Sequence, residues 1–369
     1  MISKTNRAIY LDTILIMLLG LVTLYSSTAQ KGQNAISPIF VKQVVWFFIA
    51  LAMLFIFANF DYRRLYDLAY LLYGFTVLLL LVVLVLGREI LGAQRWLELG
   101  GLNFQPSELA KLAIVVVLGR WLSEKRLFSN FTLTDKLIKI AKQLILPALL
   151  VVVPMGLVFL QPDLGTAILY IFILVVMLFV AEIEISYIVI PMVLGLMASP
   201  FLWHMLKDYQ KDRLRVFLNP NVDPLGAGYT IIQSKIAIGS GRLLGKGWLS
   251  GTQGQLSFLP ERHTDFIFGV IGEEGGLLGA LLLILLFYIL IHLGIRIATS
   301  TKDRFGSLLA TGIVTLLTFQ LFINLAMTLG ICPVVGLVLP FVSYGGSSLV
   351  IFAILIGILL SVNKRRIIF

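Results

Sequence analysis

Apolar residues run through this chain in long blocks separated by short polar joints. The blocks fall at about 8–28, 41–59, 68–87, 107–121, 143–160, 164–181, 185–206, 277–298, 306–331 and 345–363. A helix crossing the hydrocarbon core needs ~20 mainly apolar residues, and most of these blocks match that length. The pattern predicts an all-α polytopic integral membrane protein with about ten transmembrane helices, forming one membrane domain over residues 1–369. One long polar interval, 207–265, separates spans seven and eight. Directly after it the apolar stretch 266–298 is too long for one span, and the run Gly272-Glu273-Glu274-Gly275-Gly276 interrupts it. The part before that interruption is therefore expected at the interface or dipping back into the protein, where surrounding protein satisfies broken backbone.

Composition supports the bilayer and fixes an orientation. Of 369 residues 59% are hydrophobic and only 13% charged, against about 25% charged in a soluble domain. The net charge of +10 comes from scattered Lys and Arg with no basic tract, so no nucleic-acid partner is expected. Basic residues of short loops stay cytoplasmic. With the N-terminus inside, the inner segments hold Arg7, Arg63, Arg64, Arg120, Lys125, Arg126, Lys136, Lys139, Lys142, Arg296, Lys302, Arg304, Lys364, Arg365 and Arg366, and Lys4 with them, while the short outer segments hold only Lys31, Lys42, Arg88 and Arg95. Both termini are then cytoplasmic and 207–265 is extracytoplasmic. Cys332 alone forms no internal disulfide, and His204, His263 and His292 lack metal-ligand spacing.

The unusual polar residues all gather at the outer end under this topology. Arg95 and Trp96 lie in one outer segment, and Ser343 and Tyr344 in another. Glu108 and Lys111 are i,i+3 on the fourth span and share a helical face. Ionisable groups at membrane depth are costly, so the pair is either functional or a structural ion pair. Asp163 stands where a carboxylate caps the sixth span. In the long loop, Arg213, Arg215, Arg242, Lys246 and Arg262 are candidates for holding a phosphate or anionic lipid headgroups. Ile231, Ile232, Ile236 and Ile238 predict an amphipathic helix there, and the glycines that follow predict a flexible loop able to close over a ligand. The densest cluster is 260–266, where Asp265 lies beside Arg262 and His263. A partly desolvated carboxylate there accepts a proton, holds a divalent ion, or simply caps the next helix.

Read together, five strings in order resemble the SEDS family (shape, elongation, division and sporulation). They are QPSELAK at 105–111, QPDLGTA at 161–167, GAGYTIIQSKIAIGSG at 226–241, LPERHTDFIF at 259–268 and PFVSYGGSS at 340–348. Arg262 and the run after Tyr229 are closer to the members that build rod shape than to those of division and sporulation. Arg242 departs from the family pattern, which has glycine there.

The resemblance implies a peptidoglycan glycosyltransferase of the bacterial cytoplasmic membrane, acting at the outer face for cell elongation. Its substrate would be lipid II, an undecaprenyl-pyrophosphoryl disaccharide-pentapeptide, polymerised into a growing β-1,4 glycan chain. The family's essential acidic residue falls on Asp265 and its paired acidic and basic residues on Glu108 and Lys111. It further implies a class B penicillin-binding protein as partner, within the elongation complex of the rod-shape system, and a divalent cation (Mg²⁺ or Mn²⁺) without an organic cofactor. The alternative is a lipid II flippase or a non-catalytic scaffold for a transpeptidase. A transporter needs a midplane site with gates on both sides, whereas the inner halves of these spans are poor in polar residues.

Overall fold

The computed structural model describes residues 4–29, 37–90, 93–99, 102–124, 133–197, 200, 204, 208–223, 226–255 and 258–365. It is mostly helical. In chain order come α1 (Lys4–Thr28), α2 (Pro38–Asn59) and α3 (Arg63–Leu86), then strands β1 (Arg88–Ile90), β2 (Ala93–Leu99) and β3 (Leu102–Phe104). Then follow α4 (Pro106–Ser123), α5 (Leu133–Leu160), α6 (Leu164–Val180), α7 (Ile185–Met197), α8 (Asp208–Leu218) and α9 (Ala227–Ser240). The chain continues through α10 (Thr252–Gln255), α11 (Ile267–Ser300), α12 (Arg304–Thr328) and α13 (Gly346–Arg365). Among the described residues, α1, α2, α3, α11, α12 and α13 are six helices long and apolar enough to cross a membrane, with shorter apolar stretches at Leu144–Leu160, Leu164–Val180 and Ile185–Gly195. The outer helices turn Leu71, Val85 and Phe48 outward, as lipid-facing helices do, while α12 and α13 fill the middle of the bundle. Of the basic residues counted for orientation, Lys31, Lys125, Arg126 and Arg366 lie outside the described residues, as does Lys207 at the start of the long interval.

Two expectations need correction, and one between them resolves to one of its alternatives. The chain is not purely α: the segment between α3 and α4 forms a three-stranded antiparallel sheet, β1-β2-β3, with Arg88 opposite Trp96 and Leu99 opposite Leu102. Its backbone groups find partners in the meander, which lets a polar segment stand at a membrane surface.

For 266–271 the structure takes the second alternative, dipping back into the protein. Phe266 is 2% and Ile267 0% exposed, so the segment enters the protein as the first turns of α11. The helix breaks at Gly276, whose φ of 61° and ψ of −158° fall outside the helical range. That conformation is open to glycine at low cost.

The other correction is the glycine-rich stretch after α9, expected as a flexible loop able to close over a ligand. It is strapped to the break in α11. Lys246 and Gly247 donate their amides to the Glu273 and Glu274 carbonyls, and Leu277 and Leu278 donate theirs to Arg242 and Leu243. A Cβ on Gly245 would lie 2.0 Å from the Glu274 carbonyl oxygen. This glycine serves close backbone approach rather than mobility. Below the strap, Glu273 is fully buried and accepts from Lys246 Nζ at 2.7 Å and the Gln253 amide at 3.0 Å. Glu274 accepts from Ser26 Oγ at 2.6 Å, fastening the strap to α1.

Candidate functional site

The site grows from the segment between α12 and α13. Its residues leave helical geometry around Pro333 and Pro340, which lack an N–H to continue a helix, and its polar groups reach into three neighbours. Gln43 of α2 donates to the Ser343 carbonyl at 3.4 Å and accepts the Gly345 amide at 3.3 Å. Ser347 accepts the Gln105 amide and donates to the Asn103 carbonyl, joining α13 to the β3–α4 corner. Ser343 Oγ donates to the Thr264 carbonyl at 2.6 Å and accepts the Leu339 amide at 2.8 Å, and the Tyr344 amide donates to the His263 carbonyl at 2.8 Å. The loop carrying Asp265 is thus seated on the closing motif of the chain.

Asp265 ends that loop, one residue before the buried N-cap Phe266. Burial pushes its carboxyl up to about 6, and the Glu261 carboxylate adds to the rise. The charges of Arg213 and Arg95 oppose it, and Asp163 raises it further. Burial also lowers the pKa of the neighbouring His263, which favours its neutral imidazole.

Behind this loop lies the buried pair. Lys111 Nζ donates to Glu108 Oε1 at 2.6 Å and to Gln320 Oε1 at 2.9 Å, and it sits 5.8 Å from the centre of the Phe352 ring. Lys111 is 0% and Glu108 4% exposed. The second carboxylate oxygen, Glu108 Oε2, has no hydrogen-bond partner among the described residues. Gln320 donates to the Val338 carbonyl at 3.0 Å. One turn along α12, Asn324 donates to the carbonyls of Asp265, at 3.0 Å, and Leu337, at 2.6 Å.

Four residues outside the expected site set join it. Arg95 on β2 donates from Nε to the Gln161 carbonyl at 3.0 Å and from Nη2 to the Pro162 carbonyl, with Nη1 4.0 Å from Asp163 Oδ1. Asp163 caps α6 by accepting the Thr166 amide at 3.3 Å, so its capping role and its place beside Arg95 coexist. Arg95 had a signal in its neighbour Trp96. The pair Gln320 and Asn324 had one too: two carboxamides at i,i+4 inside an apolar span, where such groups find protein partners.

The remaining expected residues divide. Arg213 reaches the Val334 carbonyl at 3.1 Å and its charge acts on Asp265. Trp96 lies half-buried in β2 beside Arg95. Burial lowers the pKa of Arg262, beside His263 in the loop. Arg215 pairs with Asp212 at 3.0 Å on the exposed face of α8, and Lys246 is held by Glu273 in the strap. No described contact joins these last two to Asp265. The arrangement as a whole places one carboxylate able to take a proton near neutral pH within the electrostatic reach of two guanidinium groups, Arg95 and Arg213.

A multi-helix membrane bundle with this raised carboxylate in the loop before α11 defines a class, and sequence comparison agrees. The family described as "Cell cycle protein" (FtsW, RodA, SpoVE) matches residues 6–367, and the chain belongs to this family, SEDS. It is 40% identical to the peptidoglycan glycosyltransferase MrdB of Escherichia coli K12 over 362 residues, 97% of this chain and 95% of that protein. It is 36% identical to the stage V sporulation protein E of Bacillus subtilis, over 95% of both chains. Among solved structures it resembles a chain of a peptidoglycan synthase complex that coordinates polymerization and crosslinking, with a TM-score of 0.80, 34% identity and 97% of both chains covered. It also resembles the rod shape determining protein RodA of Thermus thermophilus, with a TM-score of 0.71, 31% identity, and 97% and 96% covered.

Proposed function

We propose that this chain is a peptidoglycan glycosyltransferase that polymerises lipid II into β-1,4 glycan at the outer face of the bacterial cytoplasmic membrane, for elongation and rod shape. The names and coverage of its relatives support the activity. The observation that carries the site is Asp265, held by backbone contacts within the electrostatic reach of Arg95 and Arg213, with its carboxyl raised to about 6. About ten spans in a single membrane domain, with both termini inside and 207–265 outside, are the topology that puts this loop where lipid II is displayed.

In the reaction, ionised Asp265 takes the proton from the acceptor sugar's 4-hydroxyl as that oxygen bonds to the donor's anomeric carbon. The bond from that carbon to the pyrophosphate oxygen breaks, and undecaprenyl pyrophosphate leaves with the electron pair. The α-linked donor inverts to a β linkage in one displacement, so a second carboxylate acting as nucleophile is unnecessary. Arg95 and Arg213 meet the charge that grows on the leaving group, an interaction worth several kcal/mol where it strengthens in the transition state.

Among the described residues no group of three or more His, Cys, Asp or Glu side chains gathers to form a metal cage. A divalent ion carried on pyrophosphate asks for less, since Mg²⁺ is commonly bound by one or two carboxylates plus substrate phosphates. As the alternative to acting as the base, Asp265 would hold Mg²⁺ or Mn²⁺ in that way, and the ion would neutralise leaving-group charge. A class B penicillin-binding protein, within the rod-shape elongation complex, is the proposed partner. The test is synthesis of lysozyme-digestible glycan from labelled lipid II by the purified full chain with that partner. Polymer supports the proposal, whereas lipid II transport across vesicles without polymer would move it to a flippase.

A further inference from the structure

Gln320 and Asn324 stand one turn apart on α12, both 0% exposed, and each carboxamide spends its donor on backbone carbonyls of the outer segments. Asn324 Nδ2 bridges the Asp265 and Leu337 carbonyls. Both partners can only accept, which fixes the amide with its nitrogen toward them. Its Oδ1 has no hydrogen-bond partner among the described residues, although it is buried. Gln320 uses both ends: Oε1 accepts from Lys111 and Nε2 donates to Val338. The two side chains therefore connect the Glu108–Lys111 pair, the 337–338 backbone and the Asp265 backbone through one rigid helix.

We infer that Gln320 and Asn324 are positioning residues, a two-rung carboxamide ladder that fixes Asp265 relative to the buried Glu108–Lys111 pair. The inference rests on the proposed glycosyltransferase reading. A general base must sit within hydrogen-bond reach of the proton it removes, and a displacement of about 1 Å can cost on the order of a hundredfold in rate. Holding the Asp265 carbonyl limits how far its backbone, and with it the carboxylate, can move. Glu273, Lys246 and the Arg95–Asp163 contact hold other parts of the outer surface and leave this carbonyl to Asn324.

The test compares wild type with Asn324→Ala, Gln320→Met and the double variant, each the full chain with its transpeptidase partner. Polymerisation of labelled lipid II gives kcat and KM, and melting in detergent gives the folded fraction. The ladder predicts that each single variant loses about tenfold or more in kcat while KM for lipid II stays within about twofold. Because both rungs act on one carboxylate, the double variant should fall little further than the worse single, rather than by the product of the two. Asn324→Asp keeps the volume but replaces the amide donor, and it serves if Asn324→Ala does not fold.

Unchanged kcat in the folded variants would overturn the inference, as would losses in KM alone, multiplicative losses in the double variant, or activity that merely follows the folded fraction. Wild type without polymer contradicts the proposed function and the inference with it. Active wild type with unaffected variants contradicts the inference alone.

Discussion

Ser343 Oγ donates a 2.6 Å hydrogen bond to the carbonyl of Thr264, the residue immediately before Asp265. Two motifs 79 positions apart in sequence are joined at this bond, and the same hydroxyl accepts the Leu339 amide. Ser343 is thus the clasp that seats the loop carrying Asp265. Ser343→Ala leaves a buried amide without its acceptor, at a cost of about 1–3 kcal/mol. The variant should melt below wild type and lose more activity than its folded fraction explains. Melting and lipid II polymerisation on the same sample check this.

Arg242 occupies a left-handed backbone conformation, with φ of 51°, at the position where the family pattern has glycine. A side chain there costs about 1–2 kcal/mol, partly offset by the greater freedom of glycine in the unfolded chain. Arg242→Gly is expected to stabilise the fold by about 0.5–1 kcal/mol and leave polymerisation unchanged, read as a higher melting temperature at equal specific activity. The departure that was visible in sequence thus has its physical expression in one dihedral angle.

Breaking a buried ion pair differs from replacing it. Lys111→Ala leaves Glu108 charged in a protein interior, at a cost of about 3–5 kcal/mol, so a marked fall in melting temperature is expected. The double variant Glu108→Gln with Lys111→Met removes both charges at similar volume and should melt within about 1 kcal/mol of wild type. If the pair serves catalysis, that well-folded double variant still makes no glycan. Full activity would reduce the pair to a packing element.

Legibility in the sequence followed local pattern. Long apolar blocks gave α1, α2, α12 and α13 to within a few residues, because a span must be continuous and apolar. The sheet escaped notice although Gly100-Gly101 between Leu99 and Leu102 is a hairpin signal, since the polar residues around it read as a connector. Asp265, Glu108 and Lys111 were visible as charges beside or inside apolar runs. Gln320 and Asn324 were hidden by their neutrality, and the strap's glycines were read as mobile because close approach to Glu273 and Glu274 depends on contacts far apart in the chain.

The raised carboxyl of Asp265 also makes a statement about stability. Its pKa goes from the ordinary 3.8 to about 6 in the folded chain, so the fold binds that proton more tightly than the unfolded chain does. The associated stability is complete below about 3.8 and is lost as pH rises through about 6. Asp265→Asn removes the penalty of the buried charge. It should melt above wild type at pH 8 by on the order of 3 kcal/mol, with the gap closing as pH falls through that range.

The central claim is that Asp265 is the base of an outer-face glycan polymerase. Its most direct test is glycan synthesis from labelled lipid II at pH 7.5–8 by purified wild type and Asp265→Asn, each with the transpeptidase partner and Mg²⁺ or Mn²⁺. Asparagine keeps the size of the side chain and removes its charge. The account predicts polymer from wild type and none from a mutant that melts at or above the wild-type temperature, while equal polymer from both would contradict it.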